Sequence, residues 1–292
     1  RRVLFRSASA VQLVPAIAEQ VARLTVFQRT ANWVLPKLDT PYTEAEIAEH
    51  CADESWLTQA RQEAFERTDL SLTFADSVAR ARTEAWAMRA LEVVADPQVR
   101  AALTPDHPFG CKRPLLSNDW FTTFNRDNVH LETAGIRRVT ANGVESLDGA
   151  MHPGDVLVLA TGFDTTSFLS AVDITGRDGR TLRHDWHDGA HAYLGITTHG
   201  YPNLFMLYGP NTNNGSILFA IEQQVDYLLR QLEWMEREAL ATIEVRAEVE
   251  ADYNEALQRD LDGIDVWQAG CSNYYRGPGG DRKSTRLNSS HT

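Results

Sequence analysis

The sequence predicts an α/β chain: a parallel sheet of nucleotide-binding type, interrupted by a helical insertion. Three observations carry that prediction. Near the start, apolar residues at Val11, Val14, Ile17, Val21 and Leu24 recur at helical spacing, and "LTVFQR" follows as a short buried strand. Farther on, "DVLVLA" is a continuous apolar run, the pattern of a central strand in a covered sheet. Between them, from "DTPYTEAEIAEH" to about residue 103, the chain is rich in Ala, Glu and Arg and shows no strand signal.

The elements follow in order. Residues 8–24 form the crossover helix of a βαβ unit, and "TVF" the core of its second strand. Thr43 followed by Glu46 matches a capping box and starts the helical insertion. "TPDHPFGCKRPLLSNDW" is a loop punctuated by Pro105, Pro108, Gly110 and Pro114. "NVHLE" and "IRRVTANGVES" are strands, with Asn142-Gly143 as a hairpin signal. After "DVLVLATGF" a further buried strand is expected at Leu204–Tyr208, ending in Gly-Pro-Asn. Two helices close the pattern, a long amphipathic one over "SILFAIEQQVDYLLRQLEWMEREAL" and a second over "RAEVEADYNEALQRDLDG".

Bulk properties limit the function classes. A hydrophobic content of 43% and charged content of 23% over 292 residues fit a soluble globular protein of one or two domains. A net charge of −12 argues against general nucleic-acid binding, which needs a basic face. No apolar run is long enough to span a membrane. Cys51, Cys111 and Cys271 are scattered, without CxxC or His/Cys ligand spacing. That argues against a metal site or a disulfide framework and fits a reducing cytoplasm.

Four stretches carry chemistry. In a dinucleotide-binding unit an acidic residue ending the second strand favours NAD, by accepting a ribose hydroxyl's hydrogen bond. Here the strand ends in Gln28-Arg29-Thr30, and a guanidinium with a hydroxyl suits a 2′-phosphate. In "GCKRPLL", Lys112 and Arg113 sit in a Pro-flanked loop where cations can meet phosphate or a developing oxyanion. In "VLVLATGFDTT" a buried strand runs into Thr-Gly-Phe, where the backbone can approach a ligand closely. "YGPNTNNGS" is a polar Gly/Asn loop opening a helix, with amides able to face an anion or a ring carbonyl.

Taken together, "LTVFQRTANWVLP", "GCKRPLL", "NRDNVHL", "DVLVLATGFD", "YLGITTHGYPNLFMLYGPNT", "AIEQQVDYL" and "CSNYYRG" resemble segments of the Baeyer–Villiger monooxygenases, in family order, over about residues 8–280. These are class B flavoproteins that use FAD and NADPH. The resemblance implies a flavoprotein with two dinucleotide-binding domains. The truncated NADPH-binding domain would be 8–36 and 109–158, with a helical insertion at 37–108 and the C-terminal part of the FAD domain at 159–280. It implies that NADPH reduces FAD, that dioxygen gives a C4a-peroxyflavin, and that one oxygen atom enters next to a ketone carbonyl to yield an ester or lactone. The cofactors carry that chemistry, and the protein supplies placement and charge.

By the same resemblance Arg113 is the active-site arginine that stabilises the anionic peroxyflavin. Arg29, Thr30 and Lys112 hold the 2′-phosphate of NADPH, and Ser9 and Gln12 belong to its fingerprint, Gly-x-Gly-Ala-Ser-Ala-x-Gln. Gly162 and Phe163 mark the return to the FAD domain, Gly209 and Asn211 lie near the flavin, and Tyr274 belongs to a loop folding over the pocket. Relatives have Ser-Trp-Tyr where this chain has Ser272-Asn273-Tyr274. The implied partners are a small ketone and O2, with no nucleic acid and no membrane, and the implied compartment is the cytoplasm. Oxygenation at sulfur or nitrogen on the same fold is an alternative reading, as is a non-catalytic NADP-binding protein.

Two family features are missing. No complete Gly-x-Gly-x-x-Gly and no FxGxxxHxxxW occur in the chain, and only the second half of the NADPH fingerprint, Ala8-Ser9-Ala10-Val11-Gln12, is present. "RRVLFRS" and "DRKSTRLNSSH" are what one sequencing-library adapter encodes when read in opposite orientations. Residues 1–7 and 281–292 are therefore expected to be adapter-derived, and the remainder an inactive fragment without the first strand of its NADPH domain and with exposed sheet edges.

Overall fold

The computed structural model describes residues 2–5, 8–72, 76–162, 168–212 and 216–264. The chain divides into two compact units, residues 1–42 with 77–163, and residues 43–76 with 164–292. The helical stretch at 37–108 is thus shared between them.

The first unit is built on a parallel sheet of β1 (Arg2–Phe5), β2 (Leu24–Phe27), β5 (Val129–Glu132) and β9 (Leu157–Ala160), ordered β5-β2-β1-β9. The expectation that the unit lacks a first strand is corrected here. β1 pairs in parallel with β2 on one side and β9 on the other. Ladder bonds are made by backbone, so the short β-prone run "RVLF" can fill that position whatever its origin. A second expectation also changes. β9 is the end strand among the described residues, and Leu159 on it is 67% exposed, so "DVLVLA" is neither central nor covered on both faces.

Helix α1 (Ala8–Ala18) crosses from β1 to β2 and buries Val11, Val14 and Ala18. They meet Leu24 and Val26 in a core completed by residues such as Leu91, Leu103 and Trp120. α4 (Ser77–Leu91) and α5 (Pro97–Ala102) contribute to this unit. Pro15 lies inside α1 and has no N–H for the Val11 carbonyl. The Ser117 hydroxyl takes that role, donating to Val11 O at 3.2 Å. The same oxygen accepts from the Trp120 N–H at 3.1 Å, at the start of the short helix α6 (Trp120–Thr123). A three-stranded antiparallel meander, β6 (Ile136–Thr140), β7 (Gly143–Ser146) and β8 (Met151–Pro153), precedes β9. Gly143, at φ 145°, pairs with Thr140 and closes the hairpin that Asn142-Gly143 signalled.

The second unit holds α2 (Glu44–Ala52), α3 (Trp56–Leu72), the short α7 (Leu182–Asp185), α8 (Ile217–Arg237) and α9 (Ala247–Asp262). The capping box at Thr43 and Glu46 is formed, with both reciprocal bonds present. Leu204–Tyr208, expected as a strand, is irregular: left-handed Asn203 (φ 60°) and Tyr208 (φ 58°) bracket it and prevent an extended run. It is fastened instead by Met206 N to Ile196 O at 2.7 Å. Cys111, which its scattered spacing suggested would stay a thiol, is disulfide-bonded, since separation along the chain does not report which groups folding brings together.

Buried polar side chains of the two long helices anchor the segment at 190–212. Gln224 of α8 accepts from Tyr208 N at 2.7 Å and donates to Leu194 O at 3.1 Å. Glu250 of α9, 4% exposed, accepts from Thr198 Oγ1 at 2.9 Å and His199 N at 2.6 Å, and lies 2.8 Å from His191 Nδ1. Burial alone would push the Glu250 carboxyl up. The bonds from His191, the His199 N–H and Thr198 outweigh it and hold the group below its ordinary value of 4.5.

Two outcomes test these supports. Ser117→Ala is expected to lower the unfolding free energy by about 1–3 kcal/mol in urea titrations, because it strands the Val11 carbonyl. In a Pro15→Ala background, where an N–H returns to that carbonyl, the loss should be smaller; equal losses in both backgrounds would refute the role given to Ser117. Glu250 has a depressed folded pKa, so its stabilisation is fully present above pH 4.5 and declines as pH falls through the lower folded value. Glu250→Gln should remove this part of the decline when unfolding is followed from pH 7 to pH 3.

Candidate functional site

In a parallel sheet all strands end on one edge, and ligands of open α/β sheets sit in the crevice outside that edge. In the first unit the order β5-β2-β1-β9 reverses direction between β1 and β9. At this carboxyl edge stand the first turns of α1, carrying Ser9 and Gln12, the loop after β2, carrying Arg29 and Thr30, and Gly162 just beyond β9. Ser9, Gln12, Arg29 and Gly162 are exposed and Thr30 is half-buried. Gly162 has φ 91° and open space where a Cβ would project, so a ligand can approach the backbone there.

The loop after β2 is stitched to the "GCKRPLL" loop. Strands β3 (Val34–Leu35) and β4 (Leu115–Leu116) pair in parallel, extended by Leu115 N to Trp33 O at 2.8 Å and Ser117 N to Leu35 O at 2.9 Å. Asn32 reaches across, donating from Nδ2 to Arg113 O at 3.1 Å. Trp33 Nε1 donates to His107 O at 2.9 Å, and the Trp33 and Phe109 rings meet edge to face. Phe109 N–H donates to Glu84 of α4 at 2.9 Å. Cys111 N to Pro108 O, at 3.1 Å, closes a turn that needs Gly110 at φ 90°.

This stitching places Arg29 and Lys112 on two joined loops. Burial pushes the half-buried Lys112 ammonium below its ordinary value; Asp106 opposes that shift and the like charge of Arg29 adds to it. Neither cation closes a salt bridge with a carboxylate among the described residues. Two cations on joined loops, backed by one solvent-facing aspartate, could hold an anion. The donor set suits a phosphomonoester: a guanidinium and an ammonium, with the Thr30 hydroxyl beside Arg29.

Of the residues singled out in the sequence, Arg29, Thr30, Lys112 and Arg113 share these two loops, and Ser9, Gln12 and Gly162 share the same sheet edge. Arg113 is exposed, its carbonyl held by Asn32. Gly209 and Asn211 belong to the second unit. A Cβ on Gly209 would lie 2.4 Å from the Gly195 carbonyl oxygen, so only glycine fits. Asn211 is 5% exposed and donates from Nδ2 to Asn254 at 2.9 Å, within the unit's own network. Phe163 and Tyr274 lie outside the described residues. The sequence reading passed over Asn32 and His107, which sit in the two stitched loops; the one available signal was the density of polar residues beside Arg29 and Lys112. No helix among the described residues is long and apolar enough to cross a membrane.

No protein-family model matches the chain. It is 38% identical over 290 residues to a Baeyer–Villiger monooxygenase of Pseudomonas aeruginosa, a match covering 97% of this chain and 55% of the relative. It is 32% identical over 289 residues to a phenazine N-monooxygenase of Lysobacter antibioticus, covering 85% of this chain and 53% of that protein. Among solved structures, an oxidized steroid monooxygenase bound to NADP superposes with a TM-score of 0.82 at 28% identity, over 97% of this chain and 61% of that one. The chain spans about half the length of the curated relatives it matches. Its parallel-sheet unit, its helical second unit and this similarity along nearly its whole length agree: the chain is similar to part of the flavin-dependent monooxygenases, Baeyer–Villiger enzymes among them.

Proposed function

We propose that this chain is part of an FAD- and NADPH-dependent monooxygenase that inserts one oxygen atom of O2 next to a ketone carbonyl, giving an ester or lactone. The observation that carries the reading is the joining of the Arg29 loop to the Lys112–Arg113 loop through the β3–β4 pairing and the Asn32 bond to the Arg113 carbonyl. In this reading the two cations and Thr30 bind the 2′-phosphate of NADPH and so select it over NADH. Ser9 and Gln12, on the first turns of α1, face the remaining phosphates of the dinucleotide. Residues 8–36 and 109–158 form the NADPH-binding domain, 37–108 the helical insertion and 159–280 part of the FAD domain.

FAD, when bound, supplies the activation of dioxygen. Arg113 supplies a permanent positive charge where negative charge develops on oxygen, a task for which a guanidinium that never deprotonates is suited. Gly162 leaves its backbone open to a close approach, and the Gly195–Gly209 contact fixes the loop that ends in Asn211. Oxygenation at nitrogen is the second reading, favoured by the similarity to a phenazine N-monooxygenase. Product analysis with a ketone and with a heteroaromatic amine separates the two.

Arg29→Ala and Lys112→Ala are each expected to weaken NADP+ binding by about 10- to 100-fold, roughly 1.4–2.8 kcal/mol, while leaving NAD+ binding within about twofold, measured by calorimetry. Equal losses for both nucleotides would contradict the 2′-phosphate assignment. In flavin-loaded enzyme, Arg113→Ala should abolish ester formation while NADPH-driven flavin reduction persists; a surviving lactone product would remove Arg113 from the chemistry. The chain by itself, with no complete Gly-x-Gly-x-x-Gly, is expected to purify with little flavin, and a stoichiometric flavin spectrum would overturn that expectation.

A further inference from the structure

One buried group in the loop that carries Lys112 has no partner among the described residues. The His107 side chain is 9% exposed, and its Nε2 atom makes no hydrogen bond to any of them. Its other ring nitrogen, Nδ1, lies 3.2 Å from Asp106 Oδ1. That contact places the ring proton on Nδ1 and leaves Nε2 as a bare acceptor. A buried acceptor without a donor is unfavourable, and a loop that retains one is either strained or poised for something it does not yet hold.

The position of His107 indicates what that is. The Pro108–Cys111 turn returns the chain on itself, so His107 and Lys112 leave it side by side. The His107 carbonyl is bonded to Trp33, in the same loop as Arg29, so the ring's backbone is tied to both halves of the cation site. Four charged groups face this region: Asp106 on the same loop, Lys112 across the turn, Arg29 beyond it, and Glu84 of α4 at the Phe109 N–H.

We propose that His107 is a positioning residue of the cation site, and that a phosphomonoester binds at Arg29 and Lys112 with uptake of one proton from solvent onto His107 Nε2. The inference rests on the phosphate reading of that site. Without a ligand, burial, reinforced by the Lys112 charge, keeps the imidazole neutral against the pull of Asp106. A dianionic phosphate adds negative charge to that of Asp106 and turns the unpartnered acceptor into a charged donor. No bond to phosphorus forms or breaks. Consistent with this balance, burial holds the His107 imidazole below its ordinary value, with Asp106 opposing and Lys112 reinforcing that shift.

The test uses this chain with adenosine 2′,5′-bisphosphate, and 5′-AMP as the control lacking the 2′-phosphate. Between pH 7.0 and 8.5 the phosphate, with its second pKa near about 6, stays dianionic. Over that range the bisphosphate should bind more tightly as pH falls, approaching about tenfold per pH unit, and titrations in buffers of different ionisation enthalpy should report proton uptake. In His107→Gln both effects should vanish while Arg29 and Lys112 still favour the bisphosphate over 5′-AMP. NMR titration of the wild-type imidazole provides a reading independent of any variant: its pKa should rise when the bisphosphate is added. Tight, 2′-phosphate-dependent binding without proton uptake, or uptake unchanged in His107→Gln, overturns the role of His107 alone. No preference for the bisphosphate over 5′-AMP overturns it together with the phosphate reading.

Discussion

Two cation-bearing loops far apart in sequence stay together only if a scaffold joins them. Here that scaffold is the β3–β4 ladder. Two short strands far apart in sequence pair in parallel, and their extension through Trp33, Leu35, Leu115 and Ser117 fixes the loops on either side. Arg29 follows β2 at the start of one loop, Lys112 precedes β4 in the other, and the Asn32 bond to the Arg113 carbonyl joins the two loops. Backbone ladders tolerate changes in side chain, so this arrangement leaves the loop side chains free to serve a ligand.

The ladder in turn depends on the helix beneath it. Pro15 breaks the hydrogen-bond series of α1, and the donor that repairs it is Ser117, the residue at which the β3–β4 pairing ends. One hydroxyl thus joins the crossover helix, the pairing of the two loops and the start of α6. The second unit follows a different rule. Its loop region at 190–212 has little regular structure and is held by polar side chains reaching from α8 and α9, with Gln224 and Glu250 the most buried of them.

Much of the fold was legible in the sequence because it is encoded locally. Periodic apolar residues marked α1 and α8, Thr43 and Glu46 marked a helix start, and Asn142-Gly143 marked a hairpin. The misses came where context decides. An apolar run reads the same in a central strand and in an end strand, so "DVLVLA" was placed too deep. Leu204–Tyr208 has strand composition, but left-handed residues at both ends, stabilised by tertiary contacts, are invisible in a pattern of hydrophobicity. The strand at Arg2–Phe5 was set aside on the evident oddity of its sequence, yet backbone pairing needs little more than β propensity. For the site, the residue types were readable and their meeting was not: the helical insertion separates Arg29 from Lys112. His107 looked like one more polar residue in a loop until its burial and its missing partner were seen.

The central claim is that Arg29 and Lys112 act as one anion site because the two loops are stitched together. A double-mutant cycle on Arg29→Ala and Lys112→Ala, read as the affinity for adenosine 2′,5′-bisphosphate, tests it most directly. The account expects strong non-additivity, with the second substitution costing markedly less once the first is present, a coupling of about 0.5–3 kcal/mol. Losses that add within about 0.5 kcal/mol would mean that the two residues serve separate places, and would contradict it.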